Sequence, residues 1–179
     1  YDISPNMITF ASSLFRKDTF TNLLFQEGDI AILPFRDQFD LAVAFCSLHY
    51  VVEQQKALAA IHKSLGPKGK LLFVGPGRDS TSVANISETL IKSEKWAAHF
   101  PHFSKQRVYY TKDEYIACLQ EAGFEPIYFD VTHDRVTFAN KQALISWLRP
   151  IVNYISHLSE SLQQDFLADL ASIMMQSAI

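Results

Sequence analysis

Two aspartates and a cysteine stand where apolar runs give way to polar residues: Asp2 after Tyr1, Asp29 after Gly28, and Cys46 at the end of the run that begins at Phe39. In an open α/β sheet, ligands bind beyond the carboxyl ends of the strands, near the point where strand order reverses. A carboxylate at such an end can accept both hydroxyls of a ribose, which is the role open to Asp2. Asp29, at a neighbouring end, can accept a hydrogen bond from an adenine amino group. Ile3 and Ile30 beside the two acids offer apolar surface to the ring faces. The small side chains of Cys46 and Ser47 let a ligand come close at a third strand end. Taken singly, Asp2 or Asp29 is better read as a helix cap or turn residue, and their joint placement favours one shared ligand. Met7 is a core residue of its helix and equally a contact for that ligand. Cys46 reads as a packing residue and not a nucleophile, because no activating neighbour is evident. His49 either supports the fold or faces the reacting group. Asp40 caps or bonds locally.

A second set of residues suits recognition of a small substrate: Arg107, Tyr109, Tyr110, Arg135, Trp147 and Arg149. An arginine grips a carboxylate with two parallel hydrogen bonds. The alternative for Arg149 and Trp147 is a solvated helix-end arginine and a core tryptophan. No general base stands out. The two cysteines, Cys46 and Cys118, are far apart in apolar contexts, so neither a disulfide framework nor a metal site is expected.

The elements that must position these residues alternate. Ser4 and Pro5 make a good helix start, and Met7, Phe10, Ala11, Leu14 and Phe15 recur at helical spacing. Leu23 to Gln26 reads as a short strand. Phe39 to Cys46 is nearly continuous in apolar residues, as in a strand buried on both faces of a parallel sheet. A helix is expected from Glu53 to Leu65, stopped by Gly66-Pro67. A strand follows at Lys70 to Val74, and then a weaker helix at Ser82 to Lys95. Thr111 and Glu114 form a capping-box pair, and Gly123 ends that helix. Phe124 to Val131 and Arg135 to Ala139 read as an antiparallel pair at a sheet edge. Asn140 to Leu148 is helical up to Pro150, and a last amphipathic helix runs from Ser159 to about Met175. Such alternation predicts an α/β, Rossmann-like fold: a mostly parallel sheet with helices on both faces and an antiparallel edge pair. The expectation is a single domain over residues 1–179. Within it, 80–110 is a lid or a surface elaboration carrying Trp96, His99 and Phe100, and 140–179 supplies helical substrate-side elements.

Bulk properties narrow the function. With 48% hydrophobic and 20% charged residues, the 179-residue chain has enough apolar material for a sizeable core. A net charge of -3 gives no electrostatic reason to expect nucleic acid or an anionic membrane as partner. The longest apolar runs are too short to span a bilayer, and the first residues are unlike a signal peptide. A cytoplasmic protein acting on a small molecule is the expectation, with oligomeric state left open.

Four segments carry a resemblance. Asp-Ile-Ser-Pro-Asn-Met-Ile, Gly-Asp-Ile-Ala-Ile-Leu-Pro-Phe, Phe-Asp-Leu-Ala-Val-Ala-Phe-Cys-Ser-Leu-His-Tyr and Leu-Gly-Pro-Lys-Gly-Lys-Leu-Leu-Phe-Val occur in that order within residues 1–77. The sequence resembles the class I S-adenosylmethionine-dependent methyltransferases, nearest the trans-aconitate and malonyl-carrier-protein methyltransferases. The resemblance implies that S-adenosylmethionine is the cofactor. Asp2 would hold its ribose, Ile3 and Met7 would flank the adenine, Asp29 would bind the adenine amino group with Ile30 beside it, and Cys46 would lie near the methionine part. It also places a first strand and a glycine-rich loop before Tyr1, so a preceding segment is expected and the fold as given lacks both. The Trp147-Leu148-Arg149 stretch resembles the trans-aconitate subgroup. Together with His49 and Tyr110 it points to small acids or acyl thioesters as acceptors. Two rival readings stand beside this: a degenerate methyltransferase fold kept as an interaction module, and a nicotinamide-dependent dehydrogenase. The Leu-Gly-Pro-Lys-Gly turn argues against the dehydrogenase.

Overall fold

A computed structural model describes residues 1–78, 82–104, 107–133 and 136–177. In chain order its elements are α1 (Pro5–Leu14), β1 (Phe39–Phe45), α2 (Gln54–Ser64), β2 (Leu65–Val74), α3 (Val83–Ile91), α4 (Lys112–Glu121), α5 (Lys141–Ile151) and α6 (Glu160–Ser177). They fall into two compact units, one of Tyr1–Gly77 with Lys105–Asp130, the other of Arg78–Ser104 with Val131–Ile179.

The first unit is built on a parallel β1–α2–β2 crossover. The strands pair from Leu41 opposite Lys70 to Phe45 opposite Val74, with an irregularity between Phe39 and Leu41. Ala57, Leu58 and Ile61 of α2 are spaced three and four apart, so they share a face. That face packs with Ala44, Leu48, Leu65 and Ala122 into one core. α2 stops at Ser64, and β2 begins at once with Leu65, so Gly66 and Pro67 lie inside the strand and not in a separate turn. The capping box of α4 forms as its sequence requires: Thr111 Oγ1 accepts from the Glu114 N–H, and the Glu114 carboxylate accepts from the Thr111 N–H. Gly123, at φ +96, adopts the left-handed conformation that follows a helix end.

Three expectations are corrected in the strands. Leu23 to Gln26 does not form a strand; the contact reduces to an isolated parallel bridge between Asp2 and Glu27. β1 is covered on one face only, with Leu41, Val43 and Phe45 at least half exposed on the other. No strand forms among the described residues of 124–139, so the antiparallel edge pair is absent there. The reason is that an isolated two-stranded hairpin is marginal unless its large side chains pack on something. Here Ile127 and Tyr128 are more than four-fifths exposed.

The second unit is helical. α3, α5 and α6 enclose Leu90, Trp96, Phe100, Leu144, Leu148, Phe166, Leu167 and Leu170. Trp96 stands edge-on to Phe166 at 5.0 Å between ring centroids. Its indole N–H donates to Asp169, which also accepts from Lys95 Nζ at 2.6 Å. α5 runs through Pro150 to Ile151 and does not stop before it. A proline removes one donor and crowds the carbonyl a turn earlier. One residue from the end, that disturbance has no following turn to break.

Candidate functional site

Backbone pairing joins the segment at Asp2 to the one that precedes Asp29. The Asp2 N–H donates to the Gln26 carbonyl at 3.2 Å, and the Gly28 N–H donates to the Asp2 carbonyl at 2.9 Å. This ladder sets Asp2 beside 26–28, with Asp29 the next residue along. Gly28 lies under the side chain of Tyr1. A Cβ there would fall 1.8 Å from the Tyr1 hydroxyl, so the Tyr1 ring lies directly over the glycine.

Each aspartate spends one oxygen locally. Asp2 Oδ1 accepts from the Ser4 N–H at 2.8 Å, and Asp29 Oδ1 accepts from the Ala31 N–H at 2.8 Å. The local cap and the ligand-facing acid are therefore compatible, since a carboxylate has about four acceptor positions. Neither Oδ2 has a hydrogen-bond partner among the described residues. Ile3 and Met7 are more than half exposed, and Ile30 is half-buried at the start of the single 3-10 turn that Asp29 caps. Two unspent carboxylate oxygens on adjoining segments, beside exposed apolar side chains, are acceptors open to the hydroxyl and amino groups of a ligand.

Cys46 ends β1 in a conformation its sequence does not reveal. Its φ is +47, a left-handed value that costs a non-glycine residue about 1 kcal/mol or more. It is exposed, and its N–H donates to the Val74 carbonyl at 2.7 Å. That bond carries the β1–β2 ladder one residue past β1 while the chain turns away.

Beyond Cys46 the chain makes a 3-10 turn at Leu48–Tyr50 and buries His49 to 6% exposure. The His49 carbonyl accepts from the Val108 N–H at 2.9 Å. Its ring stacks on Tyr109 at 5.6 Å and lies 4.3 Å from the Tyr50 ring. Arg107 sits over the other aromatic of the pair, with its guanidinium carbon 4.5 Å from the Tyr50 centroid. Burial, and then the Arg107 charge, lower the His49 imidazole to about 4. At neutral pH His49 is therefore uncharged, and its Nδ1 is buried with no hydrogen-bond partner among the described residues.

Tyr110 packs edge-on to Tyr115 at 5.2 Å and lies close to Cys118. Burial, and then Cys118, raise the Tyr110 hydroxyl, and burial first of all pushes Tyr115 up to about 12. Both phenols stay protonated, and the Tyr115 hydroxyl is buried with no hydrogen-bond partner among the described residues. Cys118 is raised by burial as well, which suits a thiol and not a thiolate nucleophile.

The first unit thus brings together Asp2, Ile3, Met7, Asp29 and Ile30 on one set of segments, and Cys46, His49 and Tyr110 at and beyond the end of β1. Trp147 and Arg149 belong to the second unit, on α5. Trp147 is 40% exposed with its ring 5.3 Å from Phe138, and Arg149 is exposed in the last helical turn. The core position nearby is taken by Leu148. Arg135 lies outside the described residues. Sequence reasoning missed Gln54. It is 1% exposed, and its Nε2 donates to the Val108 carbonyl at 2.6 Å. Its signal was a long polar side chain at the first position of a helix whose N-cap, Glu53, makes no side-chain cap.

Comparison with known proteins agrees with this architecture. A protein of Invertebrate iridescent virus 6 designated methyltransferase 235L is 24% identical over 169 residues, covering 94% of this chain and 62% of the viral protein. Juvenile hormone acid O-methyltransferase of Bombyx mori is 31% identical over 108 residues, 58% of this chain and 37% of the enzyme. Arginine-hydroxylase NDUFAF5 of Mus musculus is 31% identical over 125 residues, 68% of this chain and 35% of the mouse protein. The chain thus spans between about a third and three fifths of these relatives' lengths. Among solved structures, phosphoethanolamine N-methyltransferase 2 of Haemonchus contortus, in complex with phosphomonomethylethanolamine and S-adenosylhomocysteine, superposes with a TM-score of 0.56. That likeness, at 17% identity, covers 99% of this chain and 39% of the other, and it shows the fold. The family model described as a methyltransferase domain matches residues 1–123, the stretch that contains both strands and every site residue of the first unit, and the chain belongs to that family.

Proposed function

We propose that this protein transfers the methyl group of S-adenosylmethionine to a small-molecule acceptor, with a carboxylic acid or an acyl thioester as the acceptor class. The observation that carries the reading is the backbone pairing that sets Asp2 beside 26–28 and leaves Asp2 and Asp29 each with an unspent carboxylate oxygen. Asp2 would hold the ribose hydroxyls, Asp29 the adenine amino group, and Ile3, Met7 and Ile30 the ring faces. Cys46 would border the methionine part. The cofactor, when bound, supplies an already activated methyl on a sulfonium.

What remains for the protein is to bind, align and exclude water. A carboxylate acceptor needs no base, which suits a site whose histidine is buried and neutral. Arg107, held over Tyr50, and the protonated Tyr110 are the groups of the first unit suited to an anionic acceptor. Trp147 and Arg149, and the 80–110 and 140–179 segments, are proposed to serve the acceptor side. The juvenile hormone acid enzyme among the relatives supports a carboxylate oxygen as nucleophile. The nearer likeness to the trans-aconitate and malonyl-carrier-protein enzymes rests on the sequence segments alone.

Calorimetric titration of the full-length protein with S-adenosylhomocysteine tests the reading. Binding is expected, and Asp2→Ala or Asp29→Ala should each weaken it about tenfold or more. No binding, or binding indifferent to both substitutions, would overturn it. The arginine-hydroxylase relative favours a second reading, in which the same adenosine site serves a reaction other than methyl transfer. Transfer of a labelled methyl group to an acceptor separates the two.

A further inference from the structure

We infer that Gln54 is a positioning residue for the acceptor: together with the His49 carbonyl it holds the Val108 backbone at both its carbonyl and its N–H and so fixes where Arg107, Tyr109 and Tyr110 stand. This inference rests on the proposed acceptor role of that segment. The Gln54 amide donates to the Val108 carbonyl at 2.6 Å, and the Val108 N–H donates to the His49 carbonyl at 2.9 Å. The two successive peptide groups that flank the Val108 Cα are thus bonded to groups five residues apart on the chain that leaves β1. Among the described residues, 107–110 lie in no strand and no helix.

The side chains that flank Val108 are the ones proposed for the acceptor. Tyr109 stacks on His49, Arg107 lies over Tyr50, and Tyr110 meets Tyr115 and Cys118. Moving the Val108 peptide moves all three. A buried polar side chain is also a costly way to fill space. An unmet amide carries a desolvation penalty that an apolar residue of the same length does not. Gln54 is 1% exposed, and its Oε1 has no partner among the described residues. What the amide gains in return is a specified backbone position, 54 residues away in sequence.

The test uses the full-length protein and two variants of unchanged side-chain length. Gln54→Met removes the donor, and Gln54→Glu replaces it with an acceptor. Labelled methyl transfer to trans-aconitate, citrate and dodecanoate gives KM and kcat for whichever is methylated. Amide hydrogen exchange reports on residues 107–110. For Gln54→Met, KM for the acceptor should rise about tenfold, while kcat and the affinity for S-adenosylhomocysteine stay within about twofold. Exchange in 107–110 should be faster at an unchanged melting temperature. A fall in kcat at constant KM, or unchanged KM with unchanged exchange, overturns the inference. Should Gln54→Met fail to fold, Gln54→Glu is read by the same criteria. If the wild-type protein binds S-adenosylhomocysteine but methylates none of the three probes, the acceptor class is wrong. The exchange of 107–110 then decides the clamp by itself, and no acceleration overturns it.

Discussion

In the helical unit Trp96, Leu148, Phe166, Leu167 and Leu170 are all 1% exposed or less, while in the strand-bearing unit Phe45 is 59% exposed and Leu41 54%. The contrast follows from what each kind of element demands. A helix satisfies its own backbone and needs one apolar stripe covered, so α3, α5 and α6 can close a core among themselves. A parallel strand has side chains on two faces, and α2 and α4 cover only one of them. The unit that carries the candidate chemistry is therefore the one with apolar surface unspent. Its order depends more on specific polar contacts: the Asp2 ladder, the Thr111 capping box and the Gln54 clamp.

The largest expected effect tests the closed core. Phe166→Ala should cost about 3–5 kcal/mol in urea unfolding followed by far-ultraviolet circular dichroism, because the ring is fully enclosed between Trp96 and Phe100. A loss under about 1 kcal/mol would mean that this core is looser than its burial implies.

A second effect belongs to His49. Its folded value of about 4 lies below the ordinary 6.5, so the unfolded chain binds more protons between those limits. The contribution is complete above pH 6.5 and is lost as pH falls toward 4, at a slope approaching about 1.4 kcal/mol per pH unit. Urea unfolding across that window should show the slope in the wild type and a shallower one in His49→Gln. Equal slopes would place the titrating group elsewhere.

Smaller again, Thr111→Ala removes one side of the capping box and should cost about 1 kcal/mol by the same measurement. The smallest is Phe45→Thr on the exposed face of β1, expected within about 0.5 kcal/mol. A penalty approaching that of Phe166→Ala would show that this face is covered in solution, and the contrast between the units would disappear.

How much was legible in the sequence follows the range of the interactions. α2, the Thr111–Glu114 box and the Asn140 cap of α5, which accepts from the Ala143 N–H, are decided within a turn of helix, and the residue pattern shows them. β1 and β2 were legible as strands, but the burial of only one face was not, since burial depends on what lies across the sheet. The edge pair expected in 124–139 failed for the same reason: β-like composition supplies propensity and no partner. At the site, the pairing of Asp2 with 26–28 was foreseen in outline from the positions of the acids. The burial of His49, the left-handed turn at Cys46 and the bond from Gln54 to Val108 were not, because each is set by contacts distant in sequence.

The placement of Trp96 has a practical side. Both tryptophans of the chain, Trp96 and Trp147, sit in the helical unit, one enclosed and one partly in water. Indole emission from these residues therefore reports the melting of that unit and says little about the strand-bearing one, whose intrinsic chromophores are tyrosines and phenylalanines. Melting of the strand-bearing unit is followed by another signal, such as tyrosine emission.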